Sequence, residues 1–231
     1  MENSRLIEQK NIHLFKYDES EKKENNIDII IGADEAGRGP AAGGVFAAAV
    51  SFFDNVDINL FETLNDSKKL SAKRREVLYD VIRQNAYCAI KYVDVEKIEE
   101  INILQASLYA MKCAIEAVCK QMNSNDVLVL IDGNQKIKNV SFKQKNVIKG
   151  DATSASIAAA SILAKVSRDR YMDELAKKFP NYDWESNKGY LTKKHIQAIQ
   201  EFGICEHHRK SFLKNIIKSP QETQGQLLLK F

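Results

Sequence analysis

The chain has 231 residues, of which 44% are hydrophobic and 28% are charged, and 34 Lys and Arg against 31 Asp and Glu leave a formal net charge of +3. These fractions exclude global disorder and a fibrous protein, and the length suits one domain more than two. No run approaches the roughly 18 apolar residues of a membrane span, and the polar N-terminus lacks a secretory leader pattern. Four cysteines without metal-ligand spacing predict reduced thiols in a cytoplasmic protein.

The apolar pattern predicts an α/β domain with a mixed sheet over residues 27–218. Residues 1–26 are polar and predict a solvated N-terminal extension, and residues 219–231 predict a flexible tail. The predicted strands cover residues 27–34, 43–53, 87–95, 127–131 and 146–148. The predicted helices cover residues 71–84, 101–122, 153–179, 193–202 and 207–217, and the last two form a C-terminal helical part.

Four carboxylates stand where a strand ends or a helix begins. Asp34 and Glu35 end the first strand, Asp132 ends the strand VLVLID, and Asp151 precedes the Ala-rich helix. If these two strands are parallel neighbours, their carboxyl ends bring the acids together. Close carboxylates need a positive partner, and an all-oxygen set suits Mg²⁺ or Mn²⁺. Two such ions can activate water and stabilise a leaving oxygen, so the spacing predicts a nuclease or phosphoryl-transfer site.

Each acid also has a simpler interpretation. Asp151 can be only the N-cap of its helix, and Asp132 can be only part of a turn. Adjacent strand residues point to opposite faces, so Asp34 and Glu35 share a metal centre only where the strand is already turning. The sequence Gly37-Arg38-Gly39 that follows, which we call the GRG turn, permits this and lets the backbone approach a ligand closely.

Residues 32–50, GADEAGRGPAAGGVFAAAV, closely resemble the first motif of the ribonuclease HII family. Later segments resemble that family in the same order: DSKKL at 66–70, INILQA at 101–106, LIDGN at 130–134, KGD and its helix at 149–169, KGYLT at 188–192 and HRKSF at 208–212. The resemblance implies a ribonuclease H-like fold and an endoribonuclease that cuts the RNA strand of RNA–DNA hybrids. It also implies incision on the 5′ side of single ribonucleotides in duplex DNA, leaving 5′-phosphate and 3′-hydroxyl ends.

The same resemblance implies roles for individual residues. Four acids match the family's ligands for two Mg²⁺ or Mn²⁺ ions: Asp34, Glu35, Asp132 and Asp151. Gly37, Arg38 and Gly39 would meet the ribose 2′-hydroxyl, and Tyr190 would stack on the next deoxyribose. Four basic residues would contact phosphates: Lys68, Lys69, Lys165 and Arg209.

Local charge is uneven along the chain. Residues 67–75 hold five Lys and Arg and no acid, and residues 186–219 hold seven against two Glu. These stretches predict phosphate contacts, with solvated surface faces as the alternative. His208 is a candidate for proton transfer, although a histidine near a helix is more often inert.

The chain ends in QLLLKF, which resembles the bacterial sliding-clamp-binding peptide Q-L-x-L-x-F. Gln226, Leu227, Leu229 and Phe231 fill its specified positions. The alternative is that these apolar side chains pack on their own domain.

Two rival functions remain for a chain that we expect to be monomeric. A ribonuclease HIII-like enzyme would have GTG in the turn, Glu as fourth acid and an added N-terminal domain, so Arg38 and Asp151 favour HII. A catalytically silent hybrid- or clamp-binding module would not need all four acids.

Overall fold

The structure, a computed structural model, describes residues 2–217, with side chains from residue 12 onward. Its strands are β1 (Ile30–Ala36), β2 (Val45–Phe52), β3 (Ala86–Val93), β4 (Leu128–Asp132) and β5 (Lys143–Val147). They form one sheet in the order β3-β2-β1-β4-β5. β1, β4 and β5 run parallel, whereas β2 is antiparallel to both β1 and β3. The predicted mixed α/β sheet is therefore confirmed.

Helices cover both faces of this sheet. They are α1 (Glu2–Asn25), α2 (Ala72–Asn85), α3 (Val95–Ile101), α4 (Ile103–Met122), α5 (Ala155–Lys178), α6 (Trp184–Asn187) and α7 (Lys193–Phe202). The apolar side of α4 packs on one face of β1, β2 and β4, while α5 and α2 pack on the other. The C-terminal part, residues 180–217, surrounds the buried Trp184. No helix within residues 2–217 combines the length and apolar character that crossing a bilayer requires.

The predicted helix over residues 207–217 is wrong. Within the described residues, this segment contains only the short 3-10 helix Lys210–Phe212. Its backbone is already bonded elsewhere, because the Gly43 amide donates to the His207 carbonyl and the Arg209 amide donates to the Ala41 carbonyl. These bonds to a distant segment of the same chain use the backbone groups that a helix would need. The predicted tail, residues 219–231, lies outside the described part of the chain.

The backbone of α5 lies directly on β1. A Cβ added at Gly32 would lie 2.1 Å from the carbonyl carbon of Ser156, so this position accepts only glycine without a shift of the chain. The first half of α5 is rich in buried alanines, which allow the same close approach along its length. The start of α5 is thereby set beside the carboxyl ends of β1 and β4.

The N-terminal segment differs from the expected solvated extension. Residues 2–25 form α1, and Leu14, Asp18 and Glu21 on this helix are buried against the domain. Polar composition predicted solvation, but these polar side chains find partners far along the chain. Glu21, for example, forms an ion pair with Lys145 at 2.7 Å.

Asp18 joins α1 to the beginning of α5. Its carboxylate is 6% exposed and accepts hydrogen bonds from the Ser154 hydroxyl at 2.5 Å and the Ser156 amide at 2.8 Å. Ser154 is itself the N-cap of α5. One buried carboxylate therefore attaches the N-terminal helix to the helix that begins nearest the predicted metal-binding acids.

We expect the Asp18 carboxyl to make stability depend on pH. Burial raises its pKa from 3.8 to about 6, although hydrogen bonds from Ser154 and Ser156 oppose the rise. The folded state therefore binds more protons than the unfolded state between these values, so the free energy of unfolding falls as pH rises from about 4 to 6. Asp18→Asn removes this titration. Denaturant unfolding across pH 4–7 should show wild type losing stability relative to the variant.

Glu19→Gln removes one charge from the exposed side of the same helix and serves as the control. Parallel pH profiles for wild type and Asp18→Asn would contradict this assignment.

Candidate functional site

Three of the predicted acids meet at the carboxyl edge of the sheet. β1 pairs with β4 in parallel up to Ala33 and Ile131, so Asp34 and Asp132 follow at adjacent strand ends. Oδ1 of Asp132 accepts a hydrogen bond from the Gly150 amide at 2.7 Å. This bond holds the next residue, Asp151, beside the two strand ends.

Asp151 is not the N-cap of α5. The hydroxyl of Ser154 fills that role by accepting a hydrogen bond from the Ile157 amide. Asp151 instead lies in a short 3-10 helix, Gly150–Ala152, and its side chain is buried. The simpler interpretation of this acid is therefore wrong.

Glu35 joins the site from a different direction. β1 continues through Ala36, so both Asp34 and Glu35 lie in the strand, and the expected turn begins only at Gly37, whose φ is +106°. Glu35 accepts a hydrogen bond from Nη1 of Arg38 at 3.2 Å. The first residues of the GRG turn are thus tied back to an acid of the site.

The acids strongly affect one another's ionisation. Burial, and then the charges of Glu35 and Asp132, raise the pKa of Asp34 well above its usual range. Burial also raises the pKa of Glu35, although the Arg38 guanidinium opposes this rise. A site that resists holding several negative charges is one in which a cation is stabilising.

A fifth acid, Asp66, and the base Lys68 lie beside Asp151 at the edge of the acid site. Burial, with the charges of Asp66 and Asp132, raises the pKa of Asp151. Nζ of Lys68 lies 3.8 Å from Oδ2 of Asp151. Partial burial lowers the pKa of Lys68, but the carboxylates of Asp151 and Asp34 raise it above its ordinary value overall. The sequence did not predict Asp66 as a site residue, although it is the first residue of the segment DSKKL.

The donor set suits a hard divalent cation. In the part of the chain that the structure describes, no three His, Cys, Asp or Glu side chains already converge closely enough to enclose a metal. The four acids are nevertheless neighbours, and their oxygens match the ligand chemistry of Mg²⁺ and Mn²⁺ rather than that of Zn²⁺. The residues therefore fit such an ion chemically.

The GRG turn and Tyr190 form one surface next to these acids. A Cβ added at Gly39 would lie 3.3 Å from Cε1 of Tyr190, so the ring stands against the turn. Tyr190 is 51% exposed, which leaves part of this residue open to a ligand. The loop before it is bonded to the segment after the turn, since the Ala41 amide donates to the Gly189 carbonyl.

A buried chain of hydrogen bonds holds the backbone of Tyr190. The Cys205 amide donates to Nδ1 of His208, and Nε2 of His208 lies 3.1 Å from Nε2 of His195. Nδ1 of His195 lies 2.9 Å from the Tyr190 carbonyl. His195 Nε2 also accepts from the indole of Trp184. These partners assign neutral rings, with His208 donating to His195 and His195 donating to Tyr190.

His208 is therefore a structural link and not an exposed proton carrier. It is 2% exposed, and burial together with the neighbouring His195 lowers its pKa to about 4. No sequence pattern singles out His195, because its role depends on a contact with His208 that only the folded chain makes.

The predicted basic contacts divide into three kinds. Lys68 and Lys69 have largely exposed side chains beside the acids, at 81% and 60%. Lys165 is instead engaged with Asp169 at 2.5 Å, and burial lowers its pKa. The Lys165 ammonium is therefore already paired in the free protein.

Arg209 corrects a prediction. It was expected to contact phosphate, but it is 0% exposed and donates hydrogen bonds to main-chain carbonyls around the GRG turn. Arg168, which lies in the quoted segment 149–169 but was given no role, is likewise buried and donates to the carbonyls of Ala42 and Lys188.

The relationship to known proteins agrees with this geometry. Residues 31–215 match the family model of ribonuclease HII. The chain is 48% identical to ribonuclease HII of Fusobacterium nucleatum over 194 residues, covering 84% of this chain and 89% of the relative. It is 52% identical to ribonuclease HII of Endomicrobium trichonymphae over 184 residues, covering 79% of this chain and 84% of the relative.

Two solved structures share the fold. Ribonuclease HII of Archaeoglobus fulgidus, solved in complex with PCNA, has a TM-score of 0.64 at 23% identity, covering 84% of this chain and 99% of that one. Bst-RNase HIII, solved with Mn²⁺, has a TM-score of 0.59 at 15% identity, covering 87% and 70%. The solved structures show the fold, whereas the family model and the sequence relatives also show the family. We conclude that this chain belongs to the ribonuclease HII family and is a ribonuclease H endonuclease acting on RNA–DNA hybrids.

Proposed function

We propose that this enzyme also incises duplex DNA on the 5′ side of a single embedded ribonucleotide. The observation that supports this most directly is the contact between Gly39 and Tyr190 at the edge of the acid site. A turn whose Arg38 and Gly39 amides have no acceptor among the described residues suits a ribose 2′-hydroxyl, and a half-exposed aromatic residue suits a sugar that lacks one. Side by side, the two groups match a ribonucleotide followed by a deoxyribonucleotide.

We also propose that Asp34, Glu35, Asp132 and Asp151 hold two divalent ions, Mg²⁺ or Mn²⁺. Bound ions of this kind supply an activated water and stabilise the leaving oxygen of the phosphodiester, giving 5′-phosphate and 3′-hydroxyl ends. The chain's own part is positional. Gly150 orients Asp132, and β1 places two acids in succession.

Lys68 and Lys69, beside the acids, are suited to orienting the nucleic acid. Lys68 and Lys69 follow Asp66 in one short 3-10 helix, so their side chains stand beside the acids. We propose that both lysines bind phosphates that flank the cut. Lys165 contributes as a phosphate contact only if its pair with Asp169 opens.

The enzyme would act as a monomer in the cytoplasm.

Divalent ions should stabilise the protein through these acids. We expect Mn²⁺ or Mg²⁺ to raise the melting temperature, since binding at a hundred times the dissociation constant adds about 2.7 kcal/mol to the free energy of unfolding. Asp132→Asn should remove most of this rise. Asp126→Asn, at the opposite end of β4, changes the same residue type and should keep it. Calorimetry or dye-based melting measures both, and equal metal shifts in the two variants would contradict the assignment.

Cleavage should depend on the same acids while binding does not. A duplex with one embedded ribonucleotide should be incised on its 5′ side by wild type. Asp34→Asn and Asp132→Asn should lower the rate by more than about a hundredfold, because even outer partners of metal ligands cost 10- to 100-fold. Both variants should still bind the duplex in a gel-shift assay.

A substrate series separates the rival enzyme activity. A ribonuclease HIII-like enzyme would cut only substrates with several consecutive ribonucleotides, so failure on the single-ribonucleotide duplex with normal cutting of a hybrid would reject the proposal. Normal cutting by the two acid variants would instead reject the metal-site assignment.

We further propose a sliding clamp as partner of the C-terminal peptide. The pattern Q-L-x-L-x-F is complete in residues 226–231, which lie outside the described part of the chain. Apolar anchors at alternate positions on a polar tether suit a groove on a partner. The solved archaeal relative in complex with PCNA supports a clamp as a partner of this family.

Deletion of residues 226–231 should abolish clamp binding and leave cleavage of a short oligonucleotide unchanged. Surface plasmon resonance with immobilised bacterial clamp measures the first effect. Replacing Leu228 and Lys230, which stand at the unspecified positions, provides the matched control and should preserve binding. Unaltered affinity after the deletion would show that the peptide is not the clamp contact.

A further inference from the structure

Arg209 donates hydrogen bonds to four carbonyl groups, two in the GRG turn and two just before β2. Its Nη2 donates to the Gly37 carbonyl at 2.7 Å, and its Nη1 donates to the Arg38 carbonyl at 3.2 Å. The remaining bonds go from Nε to the Gly43 carbonyl at 2.8 Å and from Nη2 to the Gly44 carbonyl at 3.2 Å. One buried guanidinium thus ties the turn to the start of β2.

These bonds fix the direction in which the turn's amides point. The carbonyl of Gly37 and the amide of Arg38 belong to one planar trans peptide, so they point in opposite directions. The same holds for the Arg38 carbonyl and the Gly39 amide. With both carbonyls drawn towards Arg209, two successive amides face away from the interior. Within the described residues, neither amide has an acceptor in the chain.

The surroundings make this outward face attractive to oxygen ligands. The hydrogen-bond partners of Arg209 among the described residues are all main-chain carbonyls, and the nearby Glu99 acts on its charge without bonding to it. Arg168 also lies against Gly37, and its buried Nε has no hydrogen-bond partner among the described residues. Two buried cations behind a turn polarise its amides towards a hydroxyl or phosphate oxygen. The ring of Tyr190 stands against Gly39 of the same turn.

We propose that Arg209 is a positioning residue for ribose selectivity, which fixes the GRG turn so that the amides of Arg38 and Gly39 face the 2′-hydroxyl and its adjoining phosphate. It touches no part of the substrate itself. The inference deepens the proposed function and rests on it. It also accounts for a basic residue that is placed near the site yet is withdrawn from solvent.

The test compares binding to two duplexes that differ by one hydroxyl group. Dissociation constants are measured in Ca²⁺ by fluorescence anisotropy for a duplex with a single ribonucleotide and for the all-DNA duplex, and gels confirm that the probes stay intact. Wild type should prefer the first. Arg209→Met should reduce the ratio of the two constants about tenfold, the effect of losing one good hydrogen bond. Arg209→Lys keeps the charge and part of the contacts, and it should reduce the ratio about threefold.

A matched control separates positioning from loss of packing. Leu213 is buried in the same C-terminal part, so Leu213→Ala weakens that packing while keeping the Arg209 contacts. Its melting temperature should fall, but the ribose ratio should stay at the wild-type value. In steady-state cleavage, Arg209→Lys should raise KM more than it lowers kcat, because the metal-binding acids are untouched.

Three outcomes overturn the proposal: an unchanged ratio in a folded Arg209→Met, an unchanged ratio in Arg209→Lys, and an equal loss in Leu213→Ala. Arg209→Lys decides the matter if Arg209→Met does not fold. If wild type itself shows no preference for the ribonucleotide duplex, the proposed function fails and the inference falls with it, and this result is visible before any variant is examined.

Discussion

The approach of the α5 backbone to β1 at Gly32 sets the geometry on which the site depends. Because no side chain separates Ser156 from the strand, the helix begins a few residues from the ends of β1 and β4. The segment before α5 must then turn beside Asp132, and Asp151 is delivered to the same edge. A similar constraint acts at Gly150, where a Cβ would meet both Ile157 and the carboxylate of Asp132. Backbone proximity, more than any single side-chain contact, brings the acids together.

Charge is distributed around this edge in two opposed parts. The acids lie at the ends of β1 and β4, and their burial makes full ionisation costly without a cation. On the other side of the GRG turn, Arg168 and Arg209 are buried with carbonyl partners. The turn between them therefore separates a negative site from a positive support. The net charge of +3 gives no hint of this arrangement, because a sum contains no positions.

The sequence predicted those features that depend on local pattern or on strand ends. Such features include the strands with acids near their ends, the Ala-rich helix and the GRG turn after β1. Each follows from residues close together in the chain. Features that depend on distant partners were missed or wrong. Asp18 meets Ser154 across 136 positions, and Arg209 meets Gly43 across 166. Neither the burial of α1 nor that of a motif arginine can be inferred from composition.

The hydrogen bonds from Cys205 through His208 and His195 to Tyr190 all donate in the same direction. The stability of the C-terminal part therefore depends on both histidines staying neutral. A further proton on His208 must go to Nδ1, which already accepts from the Cys205 amide, and one on His195 must go to Nε2, which accepts from His208. Since the folded pKa of His208 lies near 4, below the usual value of 6.5, this contribution to stability weakens as pH falls from about 6.5 towards 4. Because these hydrogen bonds end on the Tyr190 carbonyl, their weakening in mild acid would loosen the support of Tyr190, whereas the strands contain no histidine and lack this dependence.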